Sequence, residues 1–106
     1  MAHIDRIVLL SLDAPYANPA GRAEVAAEAR RVLPKVPGVV DVRIGVADDP
    51  QPGAEKANSW DVSMLIRIES ADALPAYQAD APHRAFVDEF LRARVEFRKA
   101  WNFTAT

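Results

Sequence analysis

Two side chains in the second half of the sequence have the chemistry needed to move a proton beside an oxygen atom. His83 follows Pro82 where a helix is expected to start, and the positive end of a helix dipole there would lower its pKa and favour a neutral, proton-accepting imidazole. Tyr77 can orient a substrate carbonyl or phenol through its hydroxyl. Both also have a structural interpretation, as a histidine satisfied by one hydrogen bond and a tyrosine packed in the core.

Arg6 is the third candidate, and its position in a predicted strand indicates which kind of partner its side chain requires. It shares strand parity with the buried apolar residues Val8 and Leu10, so it points toward the predicted helices. An unpaired guanidinium there is costly, so Arg6 requires an anion. That anion is either a ligand carboxylate, phenolate or enolate, or one carboxylate of this chain, from Asp72, Asp80 or Glu89.

The elements that position these side chains follow from the spacing of apolar residues and from capping signals. Trp60–Ile68 alternates apolar and polar residues with a period of two, as a strand with one buried face requires. The other predicted elements are a strand at Ile4–Leu12, a helix at Ala20–Leu33 capped by Asn18, a strand at Val40–Val46, a short helix at Ala71–Tyr77 capped by Ser70, a helix from Pro82 to Arg94 and a strand from Val95 to Phe103. Asp48–Asn58, with prolines and no apolar period, is expected to be a surface loop that is either mobile or a lid.

This order of elements predicts a single α+β domain over residues 1–106, a ferredoxin-like split βαβ fold with a four-stranded antiparallel sheet and both helices on one face. On the uncovered face the two central strands would present Ile7, Leu9 and Leu65. Burying that strip against a second copy predicts a homodimer. Charged residues expected at the rim of the interface are Asp41, Arg43, Arg67, Glu69, Glu96 and Arg98.

Composition limits the class of protein. The 106 residues are 50% hydrophobic, enough for one real core, and a net charge of −2 excludes the broad cationic surface that binds nucleic acid. Without cysteine there is no disulfide or thiolate site, which fits the cytoplasm, and no signal peptide or membrane span is expected. His3 and Asp5 alone make a poor metal site, and four glycines form no phosphate-binding loop.

Four segments carry a resemblance to a known family. They are the strand Ile7–Leu12, the turn Leu33–Gly38 into a valine-rich strand, the strand Trp60–Ile66, and Tyr77 followed by Pro82, His83 and Phe86. In this order and spacing they resemble the stress-responsive A/B barrel domain family, in which two ferredoxin-like subunits pair into an α+β barrel. The resemblance covers nearly the whole chain.

The resemblance implies a cavity between the sheet and the helices. In the family's plant polyketide cyclases a helix histidine, a tyrosine six residues before it and a first-strand histidine line that cavity; His83 and Tyr77 match two of these positions, and Arg6 stands at the third. Asp80 and Ala81 stand where many members have a histidine-proline pair. Large apolar residues expected in the core or in the pocket wall are Trp60, Met64, Phe86, Phe90 and Trp101, of which Trp60, Met64 and Phe86 join Arg6 as substrate-binding candidates.

Two classes of function follow. In the first, the protein is an enzyme that needs no cofactor and performs acid/base chemistry on a small carbonyl-bearing molecule, polyketide-like or aromatic. His83 is the base, Tyr77 orients the substrate, and Arg6 stabilises the anion left when a proton leaves carbon. In the second, the protein is a non-catalytic ligand-binding or stress-associated structural dimer. A cofactor-free monooxygenase or decarboxylase is a third possibility by fold analogy.

Overall fold

A computed structural model describes residues 2–48 and 60–106. Two central antiparallel strands, β1 (Ile4–Leu12) and β3 (Val62–Ile68), are flanked by β2 (Val39–Val46) beside β3 and by β4 (Val95–Thr104) beside β1. The sheet order is therefore β2-β3-β1-β4, and the predicted α+β ferredoxin-like fold is confirmed. Most of the predicted loop Asp48–Asn58 lies outside the described residues.

The first helix, α1 (Pro19–Val32), begins as the sequence predicts. The Asn18 side chain accepts a hydrogen bond from the backbone N–H of Gly21 at 2.8 Å, and Pro19 occupies the first turn, where it needs no N–H partner. Val25, Ala29 and Val32 form the buried stripe against the sheet. A 3₁₀ turn at Leu33–Lys35 and Gly38, at φ 85°, then lead into β2.

The chain between β3 and β4 is more broken than the sequence predicts. It forms a 3₁₀ turn (Ala71–Ala73), α2 (Leu74–Ala79), α3 (Ala81–Ala85) and a π-helical segment (Phe86–Leu91). The predicted helix opened by Pro82 is confirmed at its start, but from Phe86 it continues as a π-helical segment and it ends at Leu91 rather than at Arg94. Ser70 caps no helix with its side chain. Pro75 and Pro82 each lie in the first turn of a short helix, because proline is tolerated there and disrupts a helix interior.

The core lies between the sheet and the helices, where Val8, Leu10, Met64, Ile66 and Ile68 are buried. Predictions for the edge strands were partly wrong. Val40 and Val46 are half exposed, and the register shift between Val39 and Asp41 interrupts the expected alternation.

The face of the sheet turned away from the helices carries the predicted apolar strip and extends it. Ile7 stands opposite Leu65 on one side and Trp101 on the other, so the three form one row across the sheet. Exposed hydrophobic side chains on this outer face are Leu65 (45% exposed), Trp101 (41%), Phe103 (52%) and Phe97 (61%). The prediction that Trp101 lies in the core or in a pocket wall is therefore wrong for a single chain.

Three of the expected rim charges, Asp41, Arg43 and Arg67, are paired within the chain. Arg67 donates two hydrogen bonds to the carboxylate of Asp5, its cross-strand partner, at 2.7 and 3.1 Å. The Arg43 guanidinium lies 3.4 Å from the Asp41 carboxylate. Arg98 lies on the other face of the sheet, because its cross-strand partner is the core residue Leu10.

A buried ion pair fixes α1 to the end of the two central strands. The Asp61 carboxylate accepts hydrogen bonds from the Arg22 Nε at 2.9 Å and from the Leu12 backbone N–H at 2.7 Å. Both charged side chains are about nine-tenths buried. One carboxylate thus joins the helix, β1 and the residue that precedes β3.

Candidate functional site

The fold brings Arg6, Tyr77 and His83 together from three elements. Arg6 is in the middle of β1, paired with Ile66 of β3 and Asn102 of β4. Its strand parity directs it toward the helices, as the sequence predicts. Tyr77 is on α2 and His83 on α3, and all three side chains line one cavity between the sheet and the helices.

The cavity is small. The centre of a water molecule can occupy about 20 Å³ of it, which is room for about one water. Its polar lining comes from Arg6, Tyr77, His83 and Arg98, and its apolar lining from Val8, Leu33, Met64, Ile66, Phe86, Val87 and Leu91. Four polar side chains therefore meet an otherwise apolar space.

The two aromatic side chains of the site are in contact and deeply buried. The ring centroids of Tyr77 and His83 are 4.4 Å apart with a tilt of 39°. Tyr77 is 1% exposed and His83 9% exposed. Within the described part of the chain, Nδ1 of His83 has no hydrogen-bond partner. A buried nitrogen without a partner is costly in a purely structural histidine.

The pKa of His83 lies below its ordinary value of 6.5. Burial is the main cause, because it disfavours the imidazolium, and the positive charge of Arg6 acts in the same direction. The carboxylate of Asp80 and the backbone of Tyr77 oppose the shift, while Arg84 adds to it weakly. His83 is therefore neutral at neutral pH, as expected, with burial as the largest cause.

Burial also raises the pKa of Tyr77 above 10.0, so its phenol keeps its proton. The charges of Arg6 and Arg98 and a hydrogen bond from Arg6 oppose that shift, because they favour the phenolate. A neutral phenol beside two cations can donate a hydrogen bond to an oxyanion. The cations would then stabilise the charge that develops on that oxygen.

Arg6 forms no ion pair with Asp72, Asp80 or Glu89, the carboxylates that the sequence offers. Its Nη1 donates to the side-chain oxygen of Asn102 at 2.9 Å, and Asn102 is neutral and exposed. The structural salt bridge expected as one alternative is therefore absent from residues 2–48 and 60–106. Binding of a ligand anion by Arg6 stays a prediction.

We expect Arg6→Leu to change the free energy of unfolding by less than about 1 kcal/mol. The variant loses the hydrogen bonds of Arg6 to the exposed amide of Asn102 and to the Tyr77 phenol, but it also removes the desolvation cost of a half-buried charge, so these effects nearly offset. Thermal and urea unfolding measure the change. A loss of roughly 3 to 5 kcal/mol would instead identify Arg6 as half of a buried charge pair.

Two residues of the site were not assigned to it from the sequence. Asp80 accepts a hydrogen bond from the backbone N–H of His83 at 3.1 Å and so caps α3 and fixes the start of the helix that carries the histidine. An aspartate three residues before His83 is a cap signal that could have been recognised. Arg98 lines the cavity from β4, but the apolar residues of that strand suggested the opposite orientation.

Of the other predicted substrate-binding residues, two line the cavity and one lies elsewhere. Met64 and Phe86 line the cavity. Trp60 does not; it lies in a shallow depression with Val46, Ala47 and Asp61, at the other end of the sheet from Arg6. Nowhere in residues 2–48 and 60–106 do three or more His, Asp or Glu side chains approach closely enough to hold a metal ion.

The fold and the buried polar cavity define a ferredoxin-like α+β protein of the kind that solved structures describe as dimeric. A family model for the stress-responsive A/B barrel domain matches residues 4–105, and the chain belongs to that family. No curated protein matches it significantly. Among the described residues, no helix is long and apolar enough to cross a membrane.

Solved structures share the fold at low sequence identity. A dimeric ferredoxin-like protein of unknown function from Thermobifida fusca is 21% identical, with 98% of this chain and 92% of that chain aligned and a TM-score of 0.77. A family protein from Mesorhizobium loti is 16% identical over 100% and 99% of the two chains, with a TM-score of 0.78. A hydroxynitrile lyase from Passiflora edulis is 15% identical over 99% and 94%, with a TM-score of 0.79. These similarities concern the fold.

Proposed function

We propose that this protein is a homodimer whose cavity at Arg6, Tyr77 and His83 performs acid/base chemistry without a cofactor on a small molecule bearing a carbonyl group. The observation that carries the proposal is the buried Nδ1 of His83, which has no partner among the described residues and belongs to a neutral imidazole. An unprotonated nitrogen without a partner, on a side chain that lines a cavity, is prepared to take a proton from a bound molecule.

The neighbouring groups fit the rest of that reaction. When a proton leaves carbon beside a carbonyl, negative charge develops on the carbonyl oxygen. The neutral Tyr77 phenol and the Arg6 guanidinium, both in the cavity lining, supply a donor and a positive charge for it. A hydroxynitrile lyase has the same fold, so this architecture can carry an enzyme.

The size of the cavity restricts the substrate. Pockets that enclose drug-sized ligands measure roughly 300–1,000 Å³, whereas this cavity offers about 20 Å³. A polyketide-like or multi-ring aromatic molecule does not fit unless the lining moves. We therefore propose a substrate of which only a small part enters, with its carbonyl oxygen in the place of one water and the carbon next to the carbonyl at the mouth of the cavity.

The experiment is hydrogen-deuterium exchange at carbon, followed by proton NMR in heavy water with a panel of short ketones and oxo acids. We expect the protein to accelerate exchange beside the carbonyl of at least one of them, and Tyr77→Phe to slow it. Tyr16→Phe is the matched control, because Tyr16 is half buried near Arg94 and away from the cavity. Exchange at the uncatalysed rate with every compound would contradict the proposal.

A non-catalytic dimer is the second candidate, and the small volume of the cavity favours it. A cavity with room for about one water is also found in a well-packed core without a binding function. In that case His83 and Tyr77 contribute packing and hold a bound water. The exchange experiment separates the two candidates.

The homodimer rests on the outer face of the sheet. The row formed by Ile7, Leu65 and Trp101, together with Phe97 and Phe103, would otherwise leave a contiguous apolar surface in water. Similar structures described as dimeric support the same arrangement. In a dimer of this kind each sheet buries the other's apolar row.

We expect Leu65→Arg to dissociate the dimer at micromolar concentration, because it places a charge in that row, directly beside Ile7. Sedimentation equilibrium should give twice the 11.6 kDa chain mass for the original protein and one chain mass for the variant. Gln78→Arg, an equal change of charge on the exposed side of α2, is the control and should stay dimeric. A monomeric original protein would contradict the proposed dimer.

A further inference from the structure

The guanidinium of Arg98 is a second cation at the cavity that the proposed proton transfer does not use. Arg98 lies on β4, on the face of the sheet turned toward the helices, and lines the same cavity as Arg6. In the ranges that the structure describes, neither guanidinium has a carboxylate within 4.0 Å. Most other arginines of these ranges do, namely Arg22, Arg31, Arg43, Arg67, Arg84 and Arg94.

The two cations act on the inside of the cavity. The charges of both guanidinium groups oppose the rise that burial causes in the pKa of Tyr77. Both therefore lie close enough to the phenol to favour negative charge there. Asn102 and Tyr77, which accept hydrogen bonds from Arg6, are both neutral and do not compensate its charge. Two like charges beside one cavity repel each other, and an anion bound between them relieves that repulsion.

The two ends of the cavity differ in their exposure to solvent. Tyr77 and His83 are buried, Arg6 is half buried, and Arg98 is exposed. An anion is therefore best held toward Arg98, where water and both guanidinium groups reach it. The space beside His83 suits an uncharged group of few atoms.

We propose that Arg6 and Arg98 bind the carboxylate of a short-chain oxo acid, whose ketone enters the cavity beside Tyr77 and His83. This inference deepens the proposed function and rests on it for the chemical step. His83 takes a proton from the carbon next to the ketone: a C–H bond breaks, an N–H bond forms, and the electron pair moves into an enolate. The enolate oxygen accepts hydrogen bonds from Tyr77 and Arg6, and return of the proton to carbon restores the imidazole, so nothing else is consumed.

The test compares two probes that differ in the carboxylate, 2-oxobutanoate and 2-butanone, in the exchange experiment. We expect Arg98→Gln to raise KM for 2-oxobutanoate about tenfold or more while kcat changes little, because one charge-assisted contact to the carboxylate is lost. Exchange of 2-butanone should be unaffected. Arg30→Gln, which removes an exposed arginine on α1 without an ion pair, is the matched control and should change neither probe.

Binding is measured separately from turnover by amide NMR titration of His83→Gln with 2-oxobutanoate, because this variant cannot use His83 as a base. Binding that weakens about tenfold when Arg98→Gln is added supports the carboxylate site, even if no exchange occurs and the acid/base function fails. Exchange of both probes with no effect of Arg98→Gln overturns the carboxylate site and leaves the acid/base function standing. Absence of 2-oxobutanoate binding at millimolar concentration also overturns the carboxylate site.

Discussion

Asp61→Ala is expected to lower the free energy of unfolding by roughly 3 to 5 kcal/mol, the cost of removing one partner from a buried charge pair. The carboxylate of Asp61 accepts from Arg22 and from the backbone of Leu12, so its loss leaves a buried guanidinium and a strand-end N–H without this acceptor. Urea unfolding of the purified variant measures the change.

The control is Asp88→Ala, which removes an ion pair with Arg84 of nearly the same length, 3.0 Å, from an exposed helix surface. It should cost no more than roughly 0.5 kcal/mol, as exposed pairs four residues apart do. Equally small losses of unfolding free energy in both variants would show that the buried ion pair of Asp61 contributes no more to stability than the exposed ion pair of Asp88. Since Asp61 does not line the cavity, we expect its effect to be on stability.

His83→Gln is expected to slow carbon-proton exchange by about 10²- to 10⁴-fold, the usual contribution of a positioned general base. Glutamine keeps hydrogen-bonding groups of similar size but cannot accept the proton, so the fold should hold. His3→Gln changes the only other histidine, which is partly exposed near the chain terminus, and should leave the rate unchanged. An equal rate in the His83 variant would assign the base elsewhere.

The central strands were predictable because their patterns are simple. Ile4–Leu12 has the predicted bounds, and Val62, Met64, Ile66 and Ile68 are buried as their period of two requires. Asn18 and Pro19 gave the start of α1 correctly, because side-chain capping and a fixed proline φ act locally.

The last strand shows where the same kind of pattern fails. Phe97, Trp101 and Phe103 alternate correctly, but they face away from the helices. Alternation tells which residues share a face, and only the tertiary pairing tells which face meets the helices. Both faces of this sheet carry apolar residues, so alternation alone does not tell which face of β4 meets the helices. For that reason Arg98 was predicted at the rim of the dimer interface, whereas it lines the cavity.

The candidate site was predictable where parity or the family resemblance fixed it. Arg6 follows the parity of β1, and the spacing of Tyr77 and His83 carries the resemblance, so these three meet. Trp60 was misplaced because it lies before β3 begins, where the strand period no longer determines its neighbours. The volume of the cavity depends on packing among many side chains and has no sequence signature.

The most direct test of the proposed acid/base function is to measure the pH dependence of exchange alongside the titration of the His83 ring by NMR. The base must be neutral, and burial and Arg6 lower its pKa in the folded protein. Exchange should therefore be fully active at pH 7 and fall as the pH drops through a midpoint below 6.5, at the pH where the His83 ring becomes protonated. A rate that stays constant while His83 becomes protonated would contradict the account.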